Sequence, residues 1–244
     1  MDRVKTGVAG LDELIEGGFP KGSVVLISGS PGTGKTIFGL QFLVEGPKNN
    51  EKSLYISFEE NRQSILDQAN QFGWDLEKLE KEGNFKILCF NMPKTNVINV
   101  NAEMDKIAKS FKPIRVVIDS LSVLLVYLEV NSRLDLASNI GMKMDSASTL
   151  VSEEAATRAS VLNTIGNIRS WGCTSLLTAE MPENAAYLSR DTISSFVCDG
   201  VLKVSWLEAL NKRTIAVKKM RSTNNNLEAK PFSITKEGVV VEKE

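Results

Sequence analysis

Histidine is missing altogether from the 244 residues, and cysteine occurs three times, at Cys89, Cys173 and Cys198. With no imidazole, and with thiols far apart in no C-x-x-C spacing, a zinc centre has too few ligands to be built. Thiols scattered in odd number fit a reducing compartment, and they are expected buried or half-buried. An excess of charge is missing too, since 29 Lys plus Arg stand against 30 Asp plus Glu. That balance excludes a globally basic nucleic-acid coat and leaves room for a local basic surface. No apolar run reaches the ~18–20 residues that span a bilayer. Met1 to Gly10 also lacks the basic start and apolar stretch of a secretion signal. The expectation is a cytoplasmic protein with no membrane insertion. Repeats, low-complexity tracts and Pro/Gly-rich linkers are absent, so residues 1–244 are read as one domain with a sizeable core.

What is present is an alternation of short apolar runs with helical patterns. Val24 to Ser28, Leu54 to Phe58, Phe85 to Phe90, Val116 to Asp119 and Thr174 to Thr178 read as strands buried on both faces. Lys35 to Glu45, Arg62 to Phe72, Val100 to Phe111 and Glu153 to Trp171 carry apolar residues at three- and four-residue spacing. The order predicts an α/β fold, a mostly parallel sheet flanked by helices. From Val201 to Trp206, Thr214 to Met220 and Phe232 to Val241 the period becomes two, which predicts antiparallel strands added at the C-terminal edge. Glu129 to Ser152, rich in Ser, Asn, Asp and Met, breaks the alternation. It reads as an exposed insertion or as a loop that touches a partner.

The strongest chemical signal is Gly29-Ser30-Pro31-Gly32-Thr33-Gly34-Lys35-Thr36, a complete P-loop pattern lying directly between a strand and a helix. Its glycines allow a tight backbone turn, and the helix N-terminus adds partial positive charge, so the segment is a cradle for phosphates. ATP is the expected ligand, held by Ser30, Pro31, Gly32, Thr33, Gly34, Lys35, Thr36 and Ile37. Lys35 would neutralise the outer phosphates and Thr36 would offer its hydroxyl to Mg²⁺.

A second anchor for the metal is expected at Asp119, which ends an apolar strand whose carboxyl end lies beside the P-loop in a parallel sheet; Asp is also a good N-cap for the segment after it. Glu59 and Glu60 emerge at the same sheet edge after Phe58, where a carboxylate can orient or deprotonate water. Neighbouring acids repel, so one can hold a raised pKa while the other stays ionised, and both are candidates.

These motifs, with Thr6-Gly7-Val8-Ala9-Gly10-Leu11-Asp12, Gly17-Gly18-Phe19-Pro20-Lys21-Gly22, Phe72-Gly73-Trp74-Asp75, Val116 to Ser120 and Thr174 to Glu180, match one signature in order. The chain resembles KaiC-like ATPases of the RecA superfamily over essentially its whole length. The resemblance implies an ATPase core that forms a homo-oligomeric ring, commonly a hexamer, with ATP between subunits. It also implies that Lys219 and Arg221, in Lys219-Met220-Arg221, reach the neighbour's γ-phosphate, and that Thr223 contacts the nucleotide. Period two along Thr214 to Arg221 puts Ile215, Val217, Lys219 and Arg221 on one face. The same cations would also guard an edge strand against aggregation.

The chain departs from the family at Ser222, usually Gly, and at Asn225, often His, which bears on base or phosphate contacts made there. In Ser195-Phe196 a Phe stands where the phosphorylating second domain of the clock protein has Thr, so the resemblance is to the hydrolysing first domain. Neither autophosphorylation on Ser194 or Ser195 nor a circadian role is expected. Two other readings are a DNA-binding RecA-like recombinase or paralogue, and a non-hydrolysing nucleotide-dependent scaffold. Against the first, recombinases usually carry an extra N-terminal segment and a Gln signal where this chain has Thr178-Ala179-Glu180. The 129–152 segment offers only Arg133 and Lys143 against Glu129, Asp135 and Asp145, too little positive charge for strong phosphate-backbone binding. Against the second stand the intact Glu59 and Glu60. A protein partner remains compatible with all three.

Overall fold

The computed structural model describes residues 1–90, 97–128, 153–181, 187–189, 191–207 and 211–242, so the insertion expected at 129–152 lies outside the described residues. A two-stranded ribbon of β1 (Arg3–Val4) and β2 (Phe19–Pro20) brackets the short helix α1 (Leu11–Leu14). Next come β3 (Val24–Gly29), α2 (Lys35–Lys48), β4 (Ser53–Ser57), α3 (Arg62–Gln71), α4 (Leu76–Lys81), β5 (Phe85–Cys89), α5 (Val97–Phe111) and β6 (Arg115–Asp119). Residues 121–128 are helical. The chain continues through α6 (Glu153–Ser170), β7 (Thr174–Glu180), α7 (Ser194–Val197), β8 (Gly200–Leu207), β9 (Lys212–Met220), β10 (Lys230–Thr235) and β11 (Gly238–Val241). The expected alternation is therefore present, with α1, α4, α7, the helical residues 121–128 and the N-terminal ribbon added to it.

Nine strands form one sheet in the order β11-β10-β9-β8-β3-β7-β6-β4-β5. Six neighbours, from β8 across to β5, are parallel. The expectation for the last strands needs one correction: β8 pairs parallel with β3, and the antiparallel additions begin at β9. Parallel pairing requires a crossover, and the chain between β7 and β8, which includes α7, supplies it. The stretch from Phe232 to Val241 is a hairpin of two strands rather than one strand, folded at a turn before Gly238.

Burial on both faces explains the unbroken apolar runs. Along β3, Val25 and Ile27 join one core with Phe38, Leu40 and Phe42 of α2, while Val24 and Leu26 join a second core with Val100 and Met104 of α5 and Ile165 of α6. Side chains alternate across a strand, so each face must find its own cover. Because the central strands are parallel, β3, β4, β6 and β7 all end at one sheet edge, delivering Gly29, Ser57, Asp119 and Glu180 together.

Candidate functional site

The P-loop leaves β3 through Gly29, where a β-carbon would stand 2.4 Å from the Val204 carbonyl oxygen on the neighbouring β8. Only glycine lets the two backbones approach so closely. Gly34, with φ at 96°, turns the chain into α2, and Thr33 fastens the loop by donating its hydroxyl to the Ser30 carbonyl at 2.8 Å. Lys35 folds back over the loop, its Nζ donating to the carbonyls of Gly29 at 2.9 Å and Ser30 at 3.0 Å. Burial pulls the Lys35 ammonium below its ordinary pKa, against the opposing pull of Glu180, Asp119 and Glu59.

A cavity of about 350 Å³ opens over this loop. Its walls include Pro31, Gly32, Gly34, Lys35, Thr36 and Ile37 from the predicted set, together with Glu59 and Asp119. Ser30 and Thr33 belong to the same loop but not to the cavity wall. At the back, Thr36 donates its hydroxyl to Asp119 Oδ2 at 2.8 Å, so the two residues expected to share a metal are in direct contact. Asp119 accepts two further hydroxyls, from Tyr55 on Oδ2 at 2.6 Å and from Thr178 on Oδ1 at 2.6 Å. Three strands and a helix thus fix one carboxylate, and the Asp119–Ser120 peptide is cis. The Tyr55 phenol is pushed well above its ordinary pKa, by burial first and then by Asp119, so it stays a donor at neutral pH.

The two glutamates part company. Glu59 faces the cavity, accepting a hydrogen bond from the Ser120 hydroxyl. Its pKa is raised, chiefly by burial, with Asp119 and Glu180 adding to the rise while Ser120 and Lys35 oppose it. Glu60 turns to α3, where its carboxylate accepts from Ser64 and from Gln68 Nε2, the latter at 2.5 Å.

Hard oxygen donors suit Mg²⁺, which binds through one or two protein oxygens and completes its shell with water and phosphate. Thr36 Oγ1 and the Asp119 carboxylate fit that donor set. Among the described residues no cluster of three or more acidic or thiol ligands forms a protein cage for a metal, which the same mode of binding does not need. Glu180, Arg213, Gln68 and Ile234 also line the cavity and were not among the predicted residues. Glu180 was within reach of sequence reasoning, because it ends a core strand at the edge where the P-loop lies. Arg213 was not, because its place depends on the pairing of β8 with β9. Its guanidinium lies 4.6 Å from the Trp206 ring centre and donates to the Gly32 carbonyl at 3.4 Å.

Lys219, Arg221 and Thr223 lie apart from this cavity. The amino end of β8, Gly200, is level with Val25 at the start of β3 and pairs with Met220, so the cations sit at the opposite sheet edge from their own P-loop. The expected strict alternation fails here. A register shift between Val201 and Leu202 inserts an extra residue at Lys218, and Met220 rejoins Ile215 and Val217 in the same core. A bulge of this kind re-aims the side chains beyond it. Lys219 consequently leaves that face and donates to the carbonyls of Ser195, Phe196 and Cys198 at 3.3, 2.8 and 2.6 Å. Burial and the neighbouring Arg221 lower its pKa. Arg221, 54 % exposed, pairs with Asp199 at 2.8 Å.

A mostly parallel sheet with a complete P-loop between β3 and α2 defines an α/β protein of the P-loop nucleotide-binding class. Within that class the chain belongs to the KaiC ATPase family: the family model described as "ATPase: KaiC" matches residues 4–137 and 135–244. A UPF0273 protein of Methanocaldococcus jannaschii is 35% identical over 99% of this chain and 96% of its own length. The circadian clock protein KaiC3 of Synechocystis is 31% identical over 99% of this chain, which spans 46% of that protein. The crystal structure of the KaiC-like protein PH0186 of Pyrococcus horikoshii superposes with a TM-score of 0.81 at 33% identity, covering 99% of both chains. No helix among the described residues is long and apolar enough to cross a membrane.

Proposed function

We propose that this protein is a Mg²⁺-dependent ATPase that works as a homo-oligomeric, hexameric ring in the cytoplasm, with ATP at the interfaces between protomers. The observation that carries this reading is the contact between Thr36 and Asp119 at the back of the P-loop cavity. Family membership supports nucleotide binding, and the cavity chemistry supports hydrolysis. The β- and γ-phosphates lie against the P-loop backbone and Lys35, which leaves the Gly29 and Ser30 carbonyls to meet them. Thr36 and Asp119 hold Mg²⁺, which when bound neutralises charge on the β- and γ-phosphates.

Glu59 is the group that orients and deprotonates the attacking water. A bond forms from that oxygen to the γ-phosphorus, the bond to the bridging oxygen breaks, and ADP leaves with that electron pair; the water proton passes to Glu59. The place of Glu59 on the cavity wall, held by the Ser120 hydroxyl, supports this assignment, and its raised pKa makes it a better base than an ordinary carboxylate. Glu60 is assigned to fixing the start of α3 and Gln68 beside the cavity.

The neighbouring protomer supplies Arg221, Lys219 and Thr223. Their distance from the cavity of their own chain supports action in trans, since the length of β3 separates them, roughly 15 Å at about 3.3 Å per residue. Arg221 needs to exchange only an exposed pairing with Asp199 for a phosphate. Lys219 would surrender three carbonyls, so its first task is holding the end of α7 under Arg221. The test is nucleotide binding and turnover by the intact protein with and without Mg²⁺, alongside its mass with and without ATP. Binding, metal-dependent hydrolysis and a ring-sized assembly are expected. A DNA-stimulated turnover would instead favour the recombinase reading.

A further inference from the structure

Arg3, on the N-terminal ribbon, makes more side-chain hydrogen bonds than an anchoring role for its own strand requires. Its Nη1 donates to the carbonyls of Ile15 at 3.0 Å and Gly18 at 3.1 Å, and to Thr223 Oγ1 at 2.9 Å. Its Nη2 donates to Glu16 Oε2 at 2.6 Å and to the Ser222 carbonyl at 3.2 Å. The guanidinium is thus a rivet between the turn preceding β2 and the loop following β9, with Arg3 and Thr223 220 positions apart in sequence. The side chain is only 13% exposed.

The loop it grips is under strain. Ser222 has φ at 54°, a left-handed conformation that an L-residue with a β-carbon adopts at a cost and that glycine adopts freely. On either side stand Arg221 and Thr223. The Arg221 amide is tied to the Asp199 carbonyl at 2.8 Å, and the Thr223 hydroxyl is within 3.3 Å of the Arg221 carbonyl. Arg3 holds the carbonyl of the strained residue and the hydroxyl of the next one, so the conformation of the whole turn depends on it. A planar fork with five donors can span both acceptors, and the point charge of a lysine cannot.

We propose that Arg3 is a positioning residue which locks the Arg221–Thr223 turn in the geometry that meets the neighbouring protomer's nucleotide. This rests on the trans contact put forward above. Arg3 itself touches neither ATP nor metal. It acts through Ser222 and Thr223, taking the place of the conformational freedom that a glycine at 222 would supply.

The experiment compares wild type, Arg3→Ala, Arg3→Lys, Ser222→Gly and Arg3→Ala/Ser222→Gly as full-length assembled proteins, reading KM and kcat for ATP and the melting temperature of each. Arg3→Ala should raise KM about tenfold, the equivalent of one charge-assisted hydrogen bond, with Arg3→Lys intermediate. Adding Ser222→Gly should restore KM to within about threefold of wild type without restoring the contacts of Arg3 to Ile15 and Gly18. If Arg3 merely staples the ribbon, KM will follow the melting temperature and the glycine will rescue nothing, which overturns the proposal. Should Arg3→Ala not fold, Arg3→Lys with and without Ser222→Gly decides the same question. Arg221→Ala separates the lock from the trans contact. If Arg221→Ala impairs turnover and the Arg3 variants do not, the lock is wrong and the trans contact stands. If Arg221→Ala changes neither KM nor kcat, the trans contact is wrong and the lock falls with it.

Discussion

Thr36 and Asp119 meet at 2.8 Å, hydroxyl to carboxylate, although they stand 83 positions apart in sequence. One lies in the first turn of α2, where the P-loop ends, and the other ends β6, so the contact joins the P-loop to the carboxyl edge of the sheet. Tyr55 and Thr178 close round the same carboxylate from the strands on either side.

Lys35 is expected to be the principal affinity determinant among side chains. A hydrogen bond to a charged group is worth about 1.5–3 kcal/mol, so Lys35→Ala should weaken ATP binding by roughly ten- to a hundredfold. Titration with a fluorescent ATP analogue checks this, and unchanged affinity would count against the assignment.

Glu59→Gln should keep ATP and lose turnover by about 10²–10⁴-fold, the range of a general base. Glu60→Gln should lose much less, because its carboxylate serves Ser64 and Gln68 rather than the cavity. Single-turnover assays with nucleotide binding measured in parallel distinguish the two; equal losses would return both residues to the same role.

Tyr55→Phe removes one hydroxyl from Asp119 and nothing else of similar size. Partners of a metal ligand typically contribute ten- to a hundredfold in metal affinity. With Thr36 and Thr178 still in place, a loss of about tenfold is expected in Mg²⁺ dependence, or in Mn²⁺ affinity read by magnetic resonance. An unshifted metal titration would show that Asp119 needs no help from Tyr55.

Asp199 gives a dependence on pH. Burial alone would raise its pKa, yet the Val24 amide, Arg169 and Arg221 outweigh burial and hold it below the ordinary value, with Lys219 close by. A depressed folded pKa contributes stability that is present above the unfolded value, about 3.9, and is lost as pH falls through the folded one. Denaturant melts between roughly pH 2 and 6 should therefore show stability falling less steeply with acid in Asp199→Asn than in wild type. Parallel slopes would exclude the linkage.

The features legible in the sequence were those set by local chemistry. The P-loop signals itself through glycines and a lysine at fixed spacing, and Asp119 through its place at the end of a buried run. The parallel sheet follows from apolar strands alternating with amphipathic helices. What escaped was decided by long-range pairing. Arg213 reaches the cavity because β9 lies antiparallel to β8, a relation that no local pattern encodes. Lys219 turned out to cap α7 because one inserted residue, Lys218, breaks the alternation on which its expected direction depended. The division of labour between Glu59 and Glu60 was equally out of reach, since it rests on Ser120 arriving from the turn after β6.

A site shared between protomers is tested most directly by mixing two inactive proteins. Lys35→Ala protomers are expected to bind nucleotide poorly and Arg221→Ala protomers to leave a neighbour's site incomplete, yet in a mixed ring some interfaces combine an intact P-loop with an intact Arg221. ATP turnover that recovers on mixing, in proportion to the fraction of such interfaces, is the result expected. Mixed assemblies verified by mass that stay as inactive as their parents would contradict it.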